Sequence, residues 1–286
     1  MGLIRDKMVE DMKLRGFSEH TQRCYLQYAR LFVEHYGRSP SELGENEIRK
    51  FLMYLVDRRH TKPTTVRMYV ASLKFLYVVT LDRPRVVERI PWPKVPKKLP
   101  DILSGSEVDR VLASLRSIKH RAILMIAYGC GLRISEACSL HVTDVDSNRG
   151  FIHVRQGKGD KDRYVLLPQR LLFVLREYWK AKRPPRPYLF PGGKPGTPIT
   201  RSAVERVLKD AVQGLGLKKR VTPHSLRHAF ATHLLELGTN VRVVQELLGH
   251  GSARSTTRYT HVSRELVGRI KSPLDVLGTR DGLVLR

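Results

Sequence analysis

The chain has 286 residues, 41 % of them hydrophobic, and carries 52 Lys+Arg against 27 Asp+Glu, a formal net charge of +25. That length and apolar content suffice for one large or two modest cores. A positive surplus of this size repels itself unless it meets a polyanion, so the balance points to nucleic acid, with a ribosome-type role or a functionless cationic surface as the alternatives.

Cys24, Cys130 and Cys138 are odd in number and lack CxxC spacing. This argues against a disulfide scaffold or a zinc ribbon and for a reducing compartment. No apolar run reaches the roughly 18 residues of a membrane span, and the start Met1-Gly2-Leu3-Ile4-Arg5-Asp6 has no signal-peptide core. The expectation is a soluble cytoplasmic protein with no membrane partner.

Residues 1–90 read as helices throughout. Ser18 is an N-cap, Tyr25, Tyr28, Phe32 and Tyr36 form a stripe at spacings of three and four, and Gly37 is the stop. A second helix puts Ile48, Phe51, Leu52 and Leu55 on one face, and a third opens at Pro63-Thr64 with Val66, Tyr69, Val70, Leu73, Leu76 and Tyr77. Each stripe is core. Lys62, Arg67 and Lys74 lie between the stripes as candidate phosphate contacts. Residues 91–100 hold four prolines, Pro91, Pro93, Pro96 and Pro100, with Lys94, Lys97 and Lys98 among them. Such a segment blocks helix and central strand alike, so it reads as an extended cationic linker between two domains.

Beyond the linker, Ser104 and Glu107 have capping-box spacing, and Ala122 to Tyr128 reads as a buried helix. Phe151 to Arg155 and Tyr164 to Leu167 are short strands flanking the hairpin turn Gly157-Lys158-Gly159-Asp160-Lys161-Asp162. Helices follow near 168–182 and 200–214, separated by a Pro/Gly-rich loop. Thr222-Pro223 starts another helix that Gly238 ends; Asn240 opens the next and Gly249 closes it.

The residues able to do chemistry sit at the breaks in this pattern. His224 and Arg227 share one face at a helix N-terminus, where free amides and the helix dipole also favour an anion. His228 falls on another face, and a His224/His228 zinc pair has no evident third ligand. His250 follows the glycine stop, and Tyr259 lies in a polar Ser/Thr/Arg segment, unlike a core tyrosine. Arg133 follows Gly129-Cys130-Gly131 and Leu132, a break after the buried helix that suits a charge presented into a cleft, with Glu136 spaced to orient it. Lys158 stands between two glycines at the hairpin tip; no GxxxxGK[ST] loop is present. Two arginines, histidines and a tyrosine without an acidic metal cluster suggest phosphoryl transfer through a covalent tyrosyl intermediate.

The motifs Leu99-Pro-x-x-Leu103-Ser104, Gly131-Leu-Arg-Ile-Ser-Glu136, Gly157-Lys-Gly159, His224-Ser-Leu-Arg-His228, Leu248-Gly-His250 and Tyr259-Thr-His261, in that order, resemble the tyrosine recombinase (phage integrase) family, and its Xer-like two-domain members in particular. The resemblance implies a mainly α, α+β fold with a small hairpin or sheet. It implies a SAM-like helical core-binding domain over 1–90, the linker at 91–100, a mixed α/β catalytic domain over 101–271 and a tail over 272–286. Tyr259 is then the nucleophile that forms a 3′-phosphotyrosyl link. Arg133, Arg227 and His250 hold the non-bridging oxygens, and His224 handles the tyrosyl proton. Lys158 is the acid for the leaving 5′-oxygen, with Lys161 and Arg163 as runners-up, and Glu136 supports Arg133. No metal and no other cofactor is implied.

The family works as a homotetramer on two double-stranded DNA sites with inverted-repeat cores, exchanging strands through a Holliday junction, with an accessory directionality factor or a partner recombinase in some members. Val262 to Ile270 is the candidate C-terminal docking helix, and Ser272-Pro-Leu-Asp275 resembles the ending of integron integrases, whose extra insert is missing here. Integration or excision of a mobile element is the first expectation. Chromosome or plasmid dimer resolution, type IB topoisomerase-like relaxation and a non-catalytic DNA-binding role are the alternatives. A DNA enzyme of this kind is expected to be cytoplasmic and nucleoid-associated when bound.

Overall fold

The computed structural model describes residues 2–96, 101–155, 162–249 and 270–277. The chain divides into two compact units, Met1–Lys98 and Leu99–Arg286. Among the described residues no helix is long and apolar enough to cross a membrane.

The first unit is helical: α1 (Gly2–Leu14), α2 (Glu19–Tyr36), α3 (Glu45–Asp57), α4 (Pro63–Phe75) and the single turn α5 (Arg85–Glu88). The punctuation is local. Ser18 Oγ accepts from the Thr21 amide at 3.3 Å to start α2, and Gly37 ends it at φ 62°. Phe32, Ile48, Phe51, Val70 and Leu73 from three helices are buried in one core. Tyr28 sits outside that centre, its ring 4.4 Å from that of Tyr69.

Two features go beyond the sequence reading. Leu76 and Tyr77 belong to a π-helical turn, Leu76–Thr80, that follows α4. Within it the buried Tyr77 hydroxyl donates to Pro40 O at 2.9 Å. Arg67 and Lys74, candidate phosphate contacts, also lie 5.5 and 5.6 Å from the Trp92 ring, a cation–π pair that holds the start of the linker segment against α4.

The second unit is built around α7 (Ile118–Gly129), where every residue from Ala122 to Gly129 is buried. Around it pack α6 (Gly105–Ser114), α8 (Ile134–Ser139), α9 (Gln169–Lys182), α10 (Arg201–Gly214) and α11 (Pro223–Glu236), with α12 (Val241–Leu247) against α11. An antiparallel sheet of order β1 (Val145–Asp146), β2 (Phe151–Val154) and β3 (Arg163–Leu166) pairs Ile152 with Val165 and Val154 with Arg163. The two-residue strand β1 is too short to show alternation in the sequence.

Ser272–Leu277, expected to begin a tail, is part of this core. Leu274, in the short helix α13 (Pro273–Val276), is fully buried, and Ser272 Oγ donates to Gly129 O at 2.7 Å. The Asp275 carboxylate accepts from the Gln169 and Arg170 amides at 3.3 and 3.1 Å. It thereby caps α9, whose own N-cap position is Pro168 and has no side-chain acceptor.

Candidate active site

Gly131 makes the site possible. It turns the chain out of α7 at φ 64°, and a Cβ there would stand 2.5 Å from the Phe230 ring and 3.0 Å from Leu248. Only glycine permits both the backbone angle and the approach of α11. Gly131→Ala is expected to lower stability by about 2 kcal/mol or more, read as a lower denaturation midpoint at unchanged slope. A midpoint within error of the unaltered protein would contradict the close packing.

The turn delivers Arg133 to the start of α8. There the Glu136 carboxylate accepts from the Arg133 amide at Oε2 and from Arg133 Nη1 at Oε1, both at 2.9 Å. Arg163 of β3 binds the same carboxylate from Nη1 to Oε1 at 3.1 Å and from Nη2 to Oε2 at 2.7 Å. Burial pushes the Glu136 carboxyl upward, but the hydrogen bonds and charge of Arg163, with those of Arg133, outweigh it and hold it below the usual carboxylate range.

Arg227 reaches the same place from α11 and is 3 % exposed. Its Nη1 donates to Gly131 O at 2.7 Å and its Nη2 to Leu248 O. Nη1 also lies 3.9 Å from Glu136 Oε2. Burial first, then the neighbouring Arg133 and Arg163 charges, lower its pKa to about 10 against the opposing pull of Glu136. At neutral pH the group therefore stays charged.

His224 sits in the first turn of α11, which Thr222 caps by accepting from the Ser225 amide at 3.2 Å. The His228 ring lies 4.3 Å from that of His224, edge to face, so the two are not on separate faces as the sequence reading had them. Among the described residues no group of three or more His, Cys, Asp or Glu is placed to hold a metal.

Arg133, His224 and Arg227 line one cleft of about 680 Å³. Lys209 and Arg220 add positive charge to its walls, while Arg201 is paired there with Glu205 at 2.7 Å. Two guanidiniums from different elements and an imidazole on one helix turn thus converge on an open concavity suited to a phosphate group.

Lys158, Lys161, His250 and Tyr259 lie outside the described residues, as does the expected helix from Val262. Arg163 is described, and it departs from its candidacy as a general acid: its side chain is 13 % exposed and forked onto Glu136. Period-two alternation held the signal, since Arg163 shares a strand face with the buried Val165.

Comparison with known proteins gives a consistent result. The model of the phage integrase family matches residues 101–265, and that of the phage integrase N-terminal SAM-like domain matches residues 4–85. The Sinorhizobium fredii protein y4qK, named an integrase/recombinase, is 46 % identical over 275 residues, covering 96 % of this chain and 89 % of its own. The tyrosine recombinase XerA of Pyrococcus furiosus is 36 % identical over 268 residues, 91 % of each chain. Among solved structures, the Tn1549 transposon integrase in complex with circular intermediate DNA superposes with a TM-score of 0.70 at 18 % identity, covering 93 % of this chain and 97 % of that one.

Proposed function

The chain belongs to the phage integrase family, and from that premise we propose that it is a site-specific DNA recombinase acting through a covalent 3′-phosphotyrosyl intermediate. The observation that carries this reading is the pair of guanidiniums, Arg133 and Arg227, brought from two elements to one cleft with a single carboxylate between them. Fixed cations of this kind stabilise the charge that grows on the non-bridging oxygens as a phosphodiester is attacked.

The Tyr259 hydroxyl attacks the scissile phosphorus and the P–O5′ bond breaks. The tyrosyl proton passes to His224, and Lys158 donates a proton to the departing 5′-oxygen. Arg133, Arg227 and His250 hold the non-bridging oxygens, and Glu136 keeps Arg133 in register. The tyrosyl ester conserves the phosphodiester bond, so reversal by a 5′-hydroxyl of another strand rejoins DNA without a nucleotide cofactor. Two such exchanges pass through a Holliday junction, carried out by a homotetramer on two duplex sites with inverted-repeat cores.

Residues 1–90 are the core-binding domain, 91–100 the linker and 101–271 the catalytic domain, and Ser272–Leu277 completes that domain's core. A net charge of +25 suits a protein that grips the phosphate backbone and works at the nucleoid. Integration or excision of a mobile element is the favoured role, supported by the integrase/recombinase names of relatives such as y4qK.

The test is incubation with a nicked duplex bearing the protein's own site, in EDTA and without nucleotide. The expected product is an SDS-stable protein–DNA adduct at a 3′ end, leaving a 5′-hydroxyl that polynucleotide kinase labels. Linkage to a 5′ end, or an adduct that needs added magnesium, overturns the reading.

A further inference from the structure

Arg163 makes more contacts than a proton donor needs. Besides its two bonds to Glu136, its Nε donates to Leu247 O at 3.3 Å. A Cβ at Gly249 would lie 3.3 Å from its Cζ and Nη1. The guanidinium is therefore used inward on every edge, between β3, the start of α8 and the turn that ends α12. It is not among the residues that line the cleft of Arg133 and Arg227.

The carboxylate it grips is the one that orients Arg133. A carboxylate beside a single arginine favours the two-bond fork, which fixes both terminal nitrogens and cancels the charge. Here the fork is taken by Arg163, and Arg133 gives Glu136 only one side-chain bond, from Nη1. Arg133 keeps its Nη2 and Nε for another partner, and its side chain is 30 % exposed. One carboxylate among three guanidiniums also leaves the site two positive charges rather than one.

We propose that Arg163 is a positioning residue: by taking the fork on Glu136 it leaves Arg133 only singly bonded to that carboxylate and open to the scissile phosphate, while fixing β3 to the Leu247–Gly249 turn. The inference rests on the tyrosyl-transfer reading, and the experiment separates the two.

Single-turnover adduct formation on the nicked duplex is compared for the unaltered protein, Arg163→Met, Glu136→Gln and the double variant. Methionine keeps an unbranched stem at the site and removes the fork. Arg163→Met is expected to slow adduct formation about 30-fold or more, with DNA affinity changed less than about threefold. Glu136→Gln slows the reaction in the unaltered background, yet it speeds the Arg163→Met variant at least about fivefold, because a neutral amide no longer cancels Arg133. That reversal of sign is what a mere structural brace does not produce.

A double variant no faster than Arg163→Met, or Arg163→Met within about threefold of the unaltered protein, overturns the proposal. If Arg163→Met melts well below the unaltered protein, Arg163→Lys with and without Glu136→Gln decides by the same sign. Lysine fills one carboxylate oxygen, so its deficit is smaller. An unaltered protein that forms no adduct overturns the functional reading itself, and this one with it.

Discussion

Tyr259→Phe is expected to bind the duplex as tightly as the unaltered protein and to form no covalent adduct at all. The substitution removes one oxygen and leaves the ring. Affinity for DNA comes chiefly from cations meeting phosphates, and the phenol contributes none of that charge. The chemical step is different in kind. Without the hydroxyl there is no nucleophile to form the new P–O bond, and neither His224 nor a water reproduces a tyrosyl ester. The drop in adduct yield should therefore exceed about 10⁴-fold, to the limit of detection, while band-shift titrations overlay. Binding should also weaken with salt equally in both proteins, since the counterions released are the same. Persistence of the adduct in the phenylalanine variant would mean that another hydroxyl attacks, and the nucleophile would have to be sought elsewhere.

How much of this was legible in the sequence depended on the range of the forces involved. Helix ends were readable because a cap is made within a few residues: Ser18 with Thr21, Ser104 with Glu107, Thr222 with Ser225, and Asn240 with Arg242. The link between Arg133 and Glu136 was readable for the same reason, as neighbours at the start of one short helix. What failed to show was long-range. Leu274 looks like a tail residue until Gly129 is seen to leave it a place. Arg163 looks like a hairpin cation until Glu136, on another element, is seen beneath it. That Arg67 and Lys74 share the Trp92 ring shows only once the start of the linker is seen beside α4. In each case the local pattern was read correctly and the partner was not, because a partner supplied by tertiary packing leaves no spacing signal. Lys158, His250 and Tyr259 stand on the resemblance and on the order of their motifs, which the family match over residues 101–265 covers.

The two arginines of the cleft should separate when each is lost. Both Arg133→Ala and Arg227→Ala remove a full positive charge from the cleft proposed to take the phosphate, and each is expected to slow adduct formation by about 10²–10³-fold or more. Their effects on folding should differ, because their surroundings do. Arg133 has a side chain 30 % exposed and one side-chain bond to Glu136, and its loss leaves that carboxylate still held by the Arg163 fork and the residue-133 amide. Arg227 is 3 % exposed and donates to the carbonyls of Gly131 and Leu248. Truncating it strands two buried acceptors, at a cost of about 1–3 kcal/mol each, and opens a cavity beneath α11. Arg227→Ala should thus melt clearly below the unaltered protein, whereas Arg133→Ala should melt close to it. Arg227→Lys sharpens the distinction: it keeps the charge, yet one ammonium cannot span two carbonyls placed for a planar fork. It should recover part of the stability and little of the rate, because catalysis needs the guanidinium held between those carbonyls and facing the phosphate. If Arg227→Lys cleaves within about tenfold of the unaltered protein, charge alone suffices at that position and the geometric argument for the pair is wrong.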